Sequence, residues 1–261
     1  MTAPIISLDD VSKRFRKRTQ TVHALDRVSL DIAPGEFVSF IGPSGCGKST
    51  LLRIVGGLLE HDGGEVVVSG ESPARARRHK RFGFVPQAPA LLPWRTVRRN
   101  VELLDELNRR GADHPSLDDA QTLELLEEVG LGSFLDALPG ELSGGMQQRV
   151  ALVRAFKLGA PVLLMDEPFS ALDEITRVDM RYLLLELWER IRATVLFVTH
   201  SIPEAVTLSD RVVVLAPRPG RVVEIVDVPL PRPRHDDLED SAAFHDTVAH
   251  IRGLLRHGMQ R

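Results

Sequence analysis

Three short stretches of the chain are almost continuously apolar: FVSFI at 37–41, VLLM at 162–165 and TVLFVT at 194–199. Runs of this length without polar alternation predict strands buried on both faces. The intervening segments change to a helical period. Leu51, Leu52 and Val55 share one side after the first run, residues 145–158 predict a helix before the second, and Val178, Tyr182, Leu185 and Trp188 form a stripe before the third. Strand and helix in alternation predict an α/β fold whose core sheet is mostly parallel and covered on both sides.

The remaining stretches fit around that core. Residues 5–7 and 22–32 predict strands on either side of a basic turn, and 66–68 and 82–85 predict two short strands with an arginine-rich surface segment between them. After Gln87 the period becomes helical for a long stretch. Val97, Val101, Leu104 and Leu107 are followed, beyond a break at 111–115, by Leu123, Leu126 and Gly130, so residues 88–138 are expected to form a mostly helical insertion. Residues 211–215 and 221–228 predict an edge hairpin across 217–220. Residues 229–234 interrupt regular structure, and Phe244, Val248, Ile251 and Leu255 line one face of a closing helix.

Composition adds limits. The chain has 261 residues, is 43% hydrophobic and 26% charged, and carries a net charge of -3. That is enough material for one large domain with an inserted piece, and it offers no overall basic field to attract nucleic acid. The basic runs at 14–18 and 75–81 read as solvated faces, so no nucleic-acid partner is expected. No stretch approaches the length of apolar chain needed to cross a bilayer. The single cysteine, Cys46, can form no intrachain disulfide and is compatible with a reducing compartment.

The chemistry begins where the first apolar run ends. Gly42, Pro43, Ser44, Gly45, Cys46, Gly47, Lys48, Ser49 and Thr50 have the P-loop spacing, placed between a predicted strand and a predicted helix. The glycines let successive backbone N–H groups curl around phosphate oxygens. Lys48 adds positive charge for the outer phosphates, and the Ser49 hydroxyl is a ligand for Mg2+. This predicts a nucleoside triphosphate site that also takes Mg2+. The second apolar run ends in Asp166-Glu167. Such a pair alone is also an ordinary strand exit. Its place downstream of a P-loop makes Asp166 a candidate for holding Mg2+ and Glu167 a candidate for orienting or deprotonating the attacking water.

One further segment decides among nucleotide-binding families. Leu142, Ser143, Gly144, Gly145 and Gln147 stand just upstream of Asp166, with a helix following; the serine is a natural helix cap and the glycines allow close backbone approach. In this wording and order the chain resembles the ABC-type ATPases, over nearly its whole length. The resemblance implies a P-loop NTPase fold with an N-terminal antiparallel β part and an inserted helical subdomain. Its divisions would be 1–87 for the β part and P-loop core, 88–145 for the helical subdomain, 146–228 for the rest of the ATPase core, and 229–261 for a tail.

The resemblance also implies roles. Gln87 matches the glutamine loop, which senses Mg2+ and the reacting phosphate. Ser170, Ala171, Leu172 and Asp173 match the D-loop, and His200 matches the switch histidine. Phe15 falls where an aromatic ring stacks on adenine. The chain departs from the family pattern at Ser201, Pro203 and Glu141, none of which removes a group named above. In the family two ATPase subunits sandwich ATP, each signature capping the other's P-loop, which implies a homodimer. The LLPWRTV wording at 91–97 and LPRPR at 230–234 resemble the nitrate, sulfonate and taurine branch of bacterial importers. That branch implies separate transmembrane permease subunits docked near Gln87, Leu92 and Trp94, an indirectly acting periplasmic or lipid-anchored solute-binding protein, and a peripheral position on the cytoplasmic face of the inner membrane. A soluble ABC-type machine acting on nucleic acid or ribosomes, and a nucleotide-binding module that does not turn over, are the other readings of the same motifs.

Overall fold

The computed structural model describes residues 3–17, 20–107 and 116–258. The break expected at 111–115 lies outside these residues. A three-stranded antiparallel sheet is formed by β1 (Ile6–Lys17), β2 (Gln20–Ile32) and β4 (Gly63–Val68), in the order β2-β1-β4. The main sheet contains β3 (Phe37–Ile41), β5 (Phe82–Val85), β6 (Val162–Asp166), β7 (Thr194–Val198), β8 (Arg211–Leu215) and β9 (Val222–Asp227), in the order β5-β6-β7-β3-β8-β9. All its pairings are parallel except β8 with β9, the edge hairpin.

The continuous apolar runs divide between the two faces with the strand period of two. Leu163 and Met165 of β6 enter a core shared with Val195 and Phe197 of β7. Val162 and Leu164 point the other way, into a second core with Leu196 and Val198. The first face is covered by α6 (Gly144–Lys157) and α7 (Glu174–Ile191), which bring Val153, Phe156, Leu184 and Trp188. The second face is covered by α1 (Lys48–Val55) and the three-stranded sheet, with Leu51, Val55, Ile6 and Val28. Each residue of β3, β6 and β7 is therefore buried.

Three local expectations need correction. The arginine-rich segment between β4 and β5 is a short helix, α2 (Pro73–Arg78), with proline in its first turn and Ala76 buried. The first strand runs much further than residues 5–7, because β1 pairs with both β2 and β4 and the register shifts in its middle absorb the bend. In α7 the buried side includes Met180, Arg181, Leu184 and Leu187 as well as Leu185 and Trp188, while Val178 and Tyr182 are only half-buried. A helix squeezed between a sheet and neighbouring helices buries more than one narrow stripe.

After β5 the chain passes through α3 (Val97–Val101), α4 (Leu103–Leu107) and α5 (Asp119–Glu128) before α6 begins. Residues 88–96 carry no helix. They are pinned instead by two buried side chains. The guanidinium of Arg154 donates to the carbonyl groups of Pro89 (2.7 Å) and Ala90 (2.9 Å). Asn100 accepts from Leu92 N–H at 2.7 Å and donates to the carbonyls of Leu92, Arg95 and Thr96. Leu92 is consequently half-buried rather than exposed, whereas Trp94 keeps 72% of its surface open.

The tail closes on α8 (Ile202–Leu208) and α9 (Ala242–Gly258), and Phe244, Val248 and Ile251 of α9 are buried against β8 and α8 in a third core. Arg234 is buried at the end of α8, where it donates to the carbonyls of Val206, Thr207, Ser209 and Leu230 at 2.8–3.2 Å. Burial pushes its guanidinium down to about 10, with Arg232 adding to the shift. Those of Val206, Thr207 and Ser209 are the unpaired end of α8, and a buried helix end needs a partner. Arg234→Ala is therefore expected to lower the unfolding free energy by about 3 kcal/mol, read as a lower urea midpoint. Arg234→Lys should recover less than half of the loss, because an ammonium cannot reproduce the guanidinium fork.

Candidate nucleotide site

Strands β3, β5, β6 and β7 run in one direction, so their carboxyl ends meet along one edge of the sheet. Ligands of open α/β sheets bind outside such an edge. The loop after β3 is the P-loop, β5 is followed by Gln87, β6 ends at Asp166 and Glu167, and β7 leads to His200. The parallel register thus brings together groups that are far apart in sequence.

The P-loop curls because Gly45 and Gly47 take positive φ angles, 75° and 105°. At Gly47 a Cβ would also stand 2.7 Å from Leu25 and 2.8 Å from the Ala24 carbonyl. Gly47 is the N-cap of α1, whose first residue is Lys48, so the positive end of the helix faces the loop. Lys48 is buried, and its Nζ donates to the carbonyls of Gly42 (2.7 Å) and Pro43 (3.3 Å). Cys46 turns its side chain inward, away from the cavity, and burial pushes its thiol up. Its part in the loop is played by its backbone.

A cavity of about 420 Å³ opens over this loop, lined by Ser44, Gly45, Gly47, Lys48, Ser49 and Thr50 on one side and by Phe15, Val22 and Ala24 on another. Glu167 and Arg218 complete the wall. Phe15 is 37% exposed, and the Lys13 ammonium lies 5.7 Å from its ring centroid. Gly42, Pro43, Cys46, Gln87, Asp166 and His200 stand behind or beside the lining.

The Ser49 hydroxyl donates to Asp166 Oδ1 at 2.7 Å. A hydroxyl and a carboxylate side by side are hard oxygen donors, the set that suits Mg2+; these two residues would hold the ion and bring charge neutralisation to the phosphates. Glu167 leaves the strand at a φ of 48°, an uncommon conformation for a residue with a side chain. The turn lets its N–H bond Val198 O (2.9 Å) while its carboxylate reaches the cavity and, at 3.3 Å, His200 Nδ1. Ser170 fixes this turn from below, donating to Glu167 O at 2.9 Å, and Gln87 Nε2 donates to Ser170 Oγ at 3.2 Å. Gln87 and the segment 170–173 are thereby tied to the peptide of Glu167. Under the His200 loop, the Thr199 hydroxyl donates to Glu204, whose carboxyl group is pushed up by burial.

The signature segment lies elsewhere. Ser143 caps α6, accepting from Met146 N–H at 3.2 Å, and Gln147 ties the approach by donating to Pro139 O and Leu142 O. Ser143 and Gly144 are exposed, and none of 142–147 lines the cavity. Gly145 packs where a Cβ would stand 2.7 Å from Thr176, against the start of α7. That start is capped by Asp173, whose carboxyl is held below its usual range by the Thr176 N–H and hydroxyl. Leu172 is buried and Ala171 exposed beside it. The helix α6 joins this surface to the interior without a break. Lys157 at its far end is buried against Asp105 (3.1 Å) and Thr122 (2.9 Å).

Sequence reasoning overlooked three residues of this region. Arg218 lay in what was read only as a hairpin turn, Arg154 in the middle of an apolar helix, and Asn100 next to an exposed tryptophan. A buried-helix pattern with one arginine inside it was the signal for Arg154. Nothing local marks Arg218.

Comparison with known proteins shows the family. The model of the ABC transporter family matches residues 25–170, more than half of the chain. A putative ATP-binding protein of Brucella abortus biovar 1 (strain 9-941) is 47% identical over 263 residues, covering 98% of this chain and 94% of its own. The aliphatic sulfonates import ATP-binding protein SsuB of Bacillus cereus (strain ATCC 10987 / NRS 248) is 42% identical over 238 residues, covering 90% of each chain. Among solved structures, the ATP-binding cassette MJ0796, a dimer in a post-hydrolysis state bound to ADP and Pi, superposes with a TM-score of 0.74 and 34% identity, covering 87% of this chain and all of its own. With a P-loop, an Asp-Glu strand end and a separate capped signature helix on one fold, the chain belongs to the ABC transporter family, as its ATP-binding, ATP-hydrolysing component.

Proposed function

We propose that this chain drives a bacterial importer of aliphatic sulfonates, working as a homodimer under separate permease subunits at the cytoplasmic face of the inner membrane. The observation that carries the dimer is the separation of the two motifs. The cavity holds the P-loop, Phe15 and Glu167, while Ser143 and Gly144 cap a helix elsewhere and are open to a partner. A second copy turned head to tail supplies to each cavity what it lacks. Sulfonate as the solute is supported by the likeness to SsuB relatives. No helix among the described residues is long and apolar enough to cross a membrane, and the exposed ring of Trp94 offers an apolar anchor to a permease.

The residues divide the work as follows. The P-loop N–H groups and Lys48 bind the phosphates, with Lys48 exchanging its present carbonyl partners for phosphate oxygens. Phe15 stacks on the base. Ser49, Asp166 and Gln87 hold Mg2+, which supplies charge neutralisation when bound. Glu167 orients a water and takes its proton as the water oxygen joins the terminal phosphorus and the bond to ADP breaks; His200, 3.3 Å from that carboxylate, holds it in place and faces the same phosphate. Closure by the partner's signature excludes bulk water from these groups.

Three outcomes check this reading. Glu167→Gln keeps shape and loses the base, so ATP hydrolysis should fall by about 10²–10⁴-fold, and size-exclusion chromatography with ATP and Mg2+ should give a dimer peak; a monomer peak sinks the sandwich. Lys48→Ala should weaken ATP binding by roughly 10- to 100-fold in calorimetry, the equivalent of losing a charge-assisted contact. In proteoliposomes that hold an aliphatic-sulfonate permease, an alkanesulfonate delivered by its binding protein should stimulate ATPase activity. Trp94→Ala should abolish that stimulation and the copurification of the permease while leaving ATP affinity unchanged. Stimulation by nitrate or taurine alone would reassign the solute.

A further inference from the structure

Arg218 has no place in the motifs, yet it forms part of the nucleotide cavity. Its position is set by backbone packing. In the same turn the Gly220 N–H donates to Ala24 O at 2.9 Å, and the Asp26 N–H donates to Gly220 O at 3.0 Å. A Cβ on Gly220 would lie 2.0 Å from Cys46 O. The turn between β8 and β9 is thus wedged between β2 and the P-loop. From it Arg218 Nε donates to Gly45 O at 3.1 Å, and its Nη2 lies so close that a Cβ on Gly45 would stand 2.6 Å away. Because Cys46 N–H donates to Pro43 O at 3.2 Å, the peptide between Gly45 and Cys46 is held at both ends.

Charge gives this contact a second meaning. Of the residues lining the cavity, Lys48 is positive, Glu167 is negative and Arg218 is positive. Lys48 and Glu167 cancel, so the net positive charge that an anionic ligand meets comes from Arg218. Only Nε is used on the P-loop; the outer edge of the guanidinium has no hydrogen-bond partner among the described residues. A planar pair of N–H donors matches phosphate oxygens.

We propose that Arg218 is a further nucleotide-binding residue: Nε holds the P-loop tip through Gly45, and the outer guanidinium edge takes a phosphate oxygen of the nucleoside triphosphate. The proposal rests on the ATPase reading of this cavity. It separates a charge effect from a merely structural one, since glutamine retains an N–H donor for Gly45 without the charge and lysine retains the charge.

The test is calorimetric titration of the full chain with a nonhydrolysable ATP analogue, at low and high salt, for wild type, Arg218→Ala, Arg218→Gln and Arg218→Lys, with urea midpoints measured without nucleotide. Alanine and glutamine should each weaken binding about tenfold, equal to about 1.4 kcal/mol, and flatten its salt dependence; lysine, which keeps the charge but not the planar fork, should bind more tightly than glutamine but less tightly than wild type, and should keep the salt dependence. Wild-type affinity in the alanine or the glutamine variant overturns the proposal. If alanine also lowers the urea midpoint, the glutamine and lysine variants decide, since only a charge role separates them. Failure of the wild type itself to bind the analogue would sink the ATPase reading, a result distinct from equal binding by all four proteins.

Discussion

Burial of β3, β6 and β7 on both faces is the constraint from which the site follows. A strand with packed cores above and below cannot keep an unpaired charge along its length, because desolvation of such a group costs more than a strand gains. Ionisable groups are displaced to the strand ends, where backbone groups and solvent compensate them. Asp166 is the last residue of β6, Glu167 the first beyond it, and His200 lies two residues beyond β7. Since these strands are parallel, all the displaced groups accumulate on one edge, beside the P-loop that β3 delivers. The same sheet that makes the core also concentrates the chemistry.

The price of that arrangement appears at Glu167. Its left-handed backbone, with φ of 48°, is uncommon for a residue with a Cβ and costs on the order of 1–3 kcal/mol. Two anchors hold it: the N–H bond to Val198 O, which continues the ladder by one residue, and the Ser170 hydroxyl on its carbonyl. The side chain is thereby thrown out of the strand direction and into the cavity. Asp166, one residue earlier and still in the strand, stays behind the lining and meets Ser49. Adjacent carboxylates acquire different surroundings from one change of backbone conformation, which separates a group suited to holding a cation from one suited to meeting water.

What the sequence made legible is what depends on short-range pattern. The P-loop at 42–50, the three buried strands, the hairpin at the sheet edge and the face of α9 that carries Phe244, Val248 and Ile251 all rest on periodicity or on a compact motif. The closeness of Gln87, Ser170 and Glu167 could be expected only from family likeness, because it arises from the β5-β6-β7 order and no local signal encodes strand order. Arg218 was illegible for a similar reason: its partner Gly45 is 173 residues away, and the wedge at Gly220 that places it is a backbone contact with Ala24. The half-burial of Leu92 is equally invisible in sequence, because its apolar side chain says nothing about the Asn100 amide that pulls its backbone inward.

That last pair bears on how the nucleotide cavity is joined to the surface at Trp94. Gln87 is joined through Ser170 to the peptide of Glu167, so a displacement of that peptide would reach the start of the segment 88–96. A segment without helix would ordinarily absorb such a shift. Here Arg154, on the signature helix α6, holds its first half by the carbonyls of Pro89 and Ala90, and Asn100 holds its second half by Leu92, Arg95 and Thr96. With both halves bonded to helices, the segment is fixed to the helical part, and Trp94 with it. Packed side chains and hydrogen-bond networks can carry coupling between two sites, and these few side chains give an irregular loop such a network. The exposed ring at position 94 thus stands at one end of a chain of contacts that begins at the peptide of Glu167.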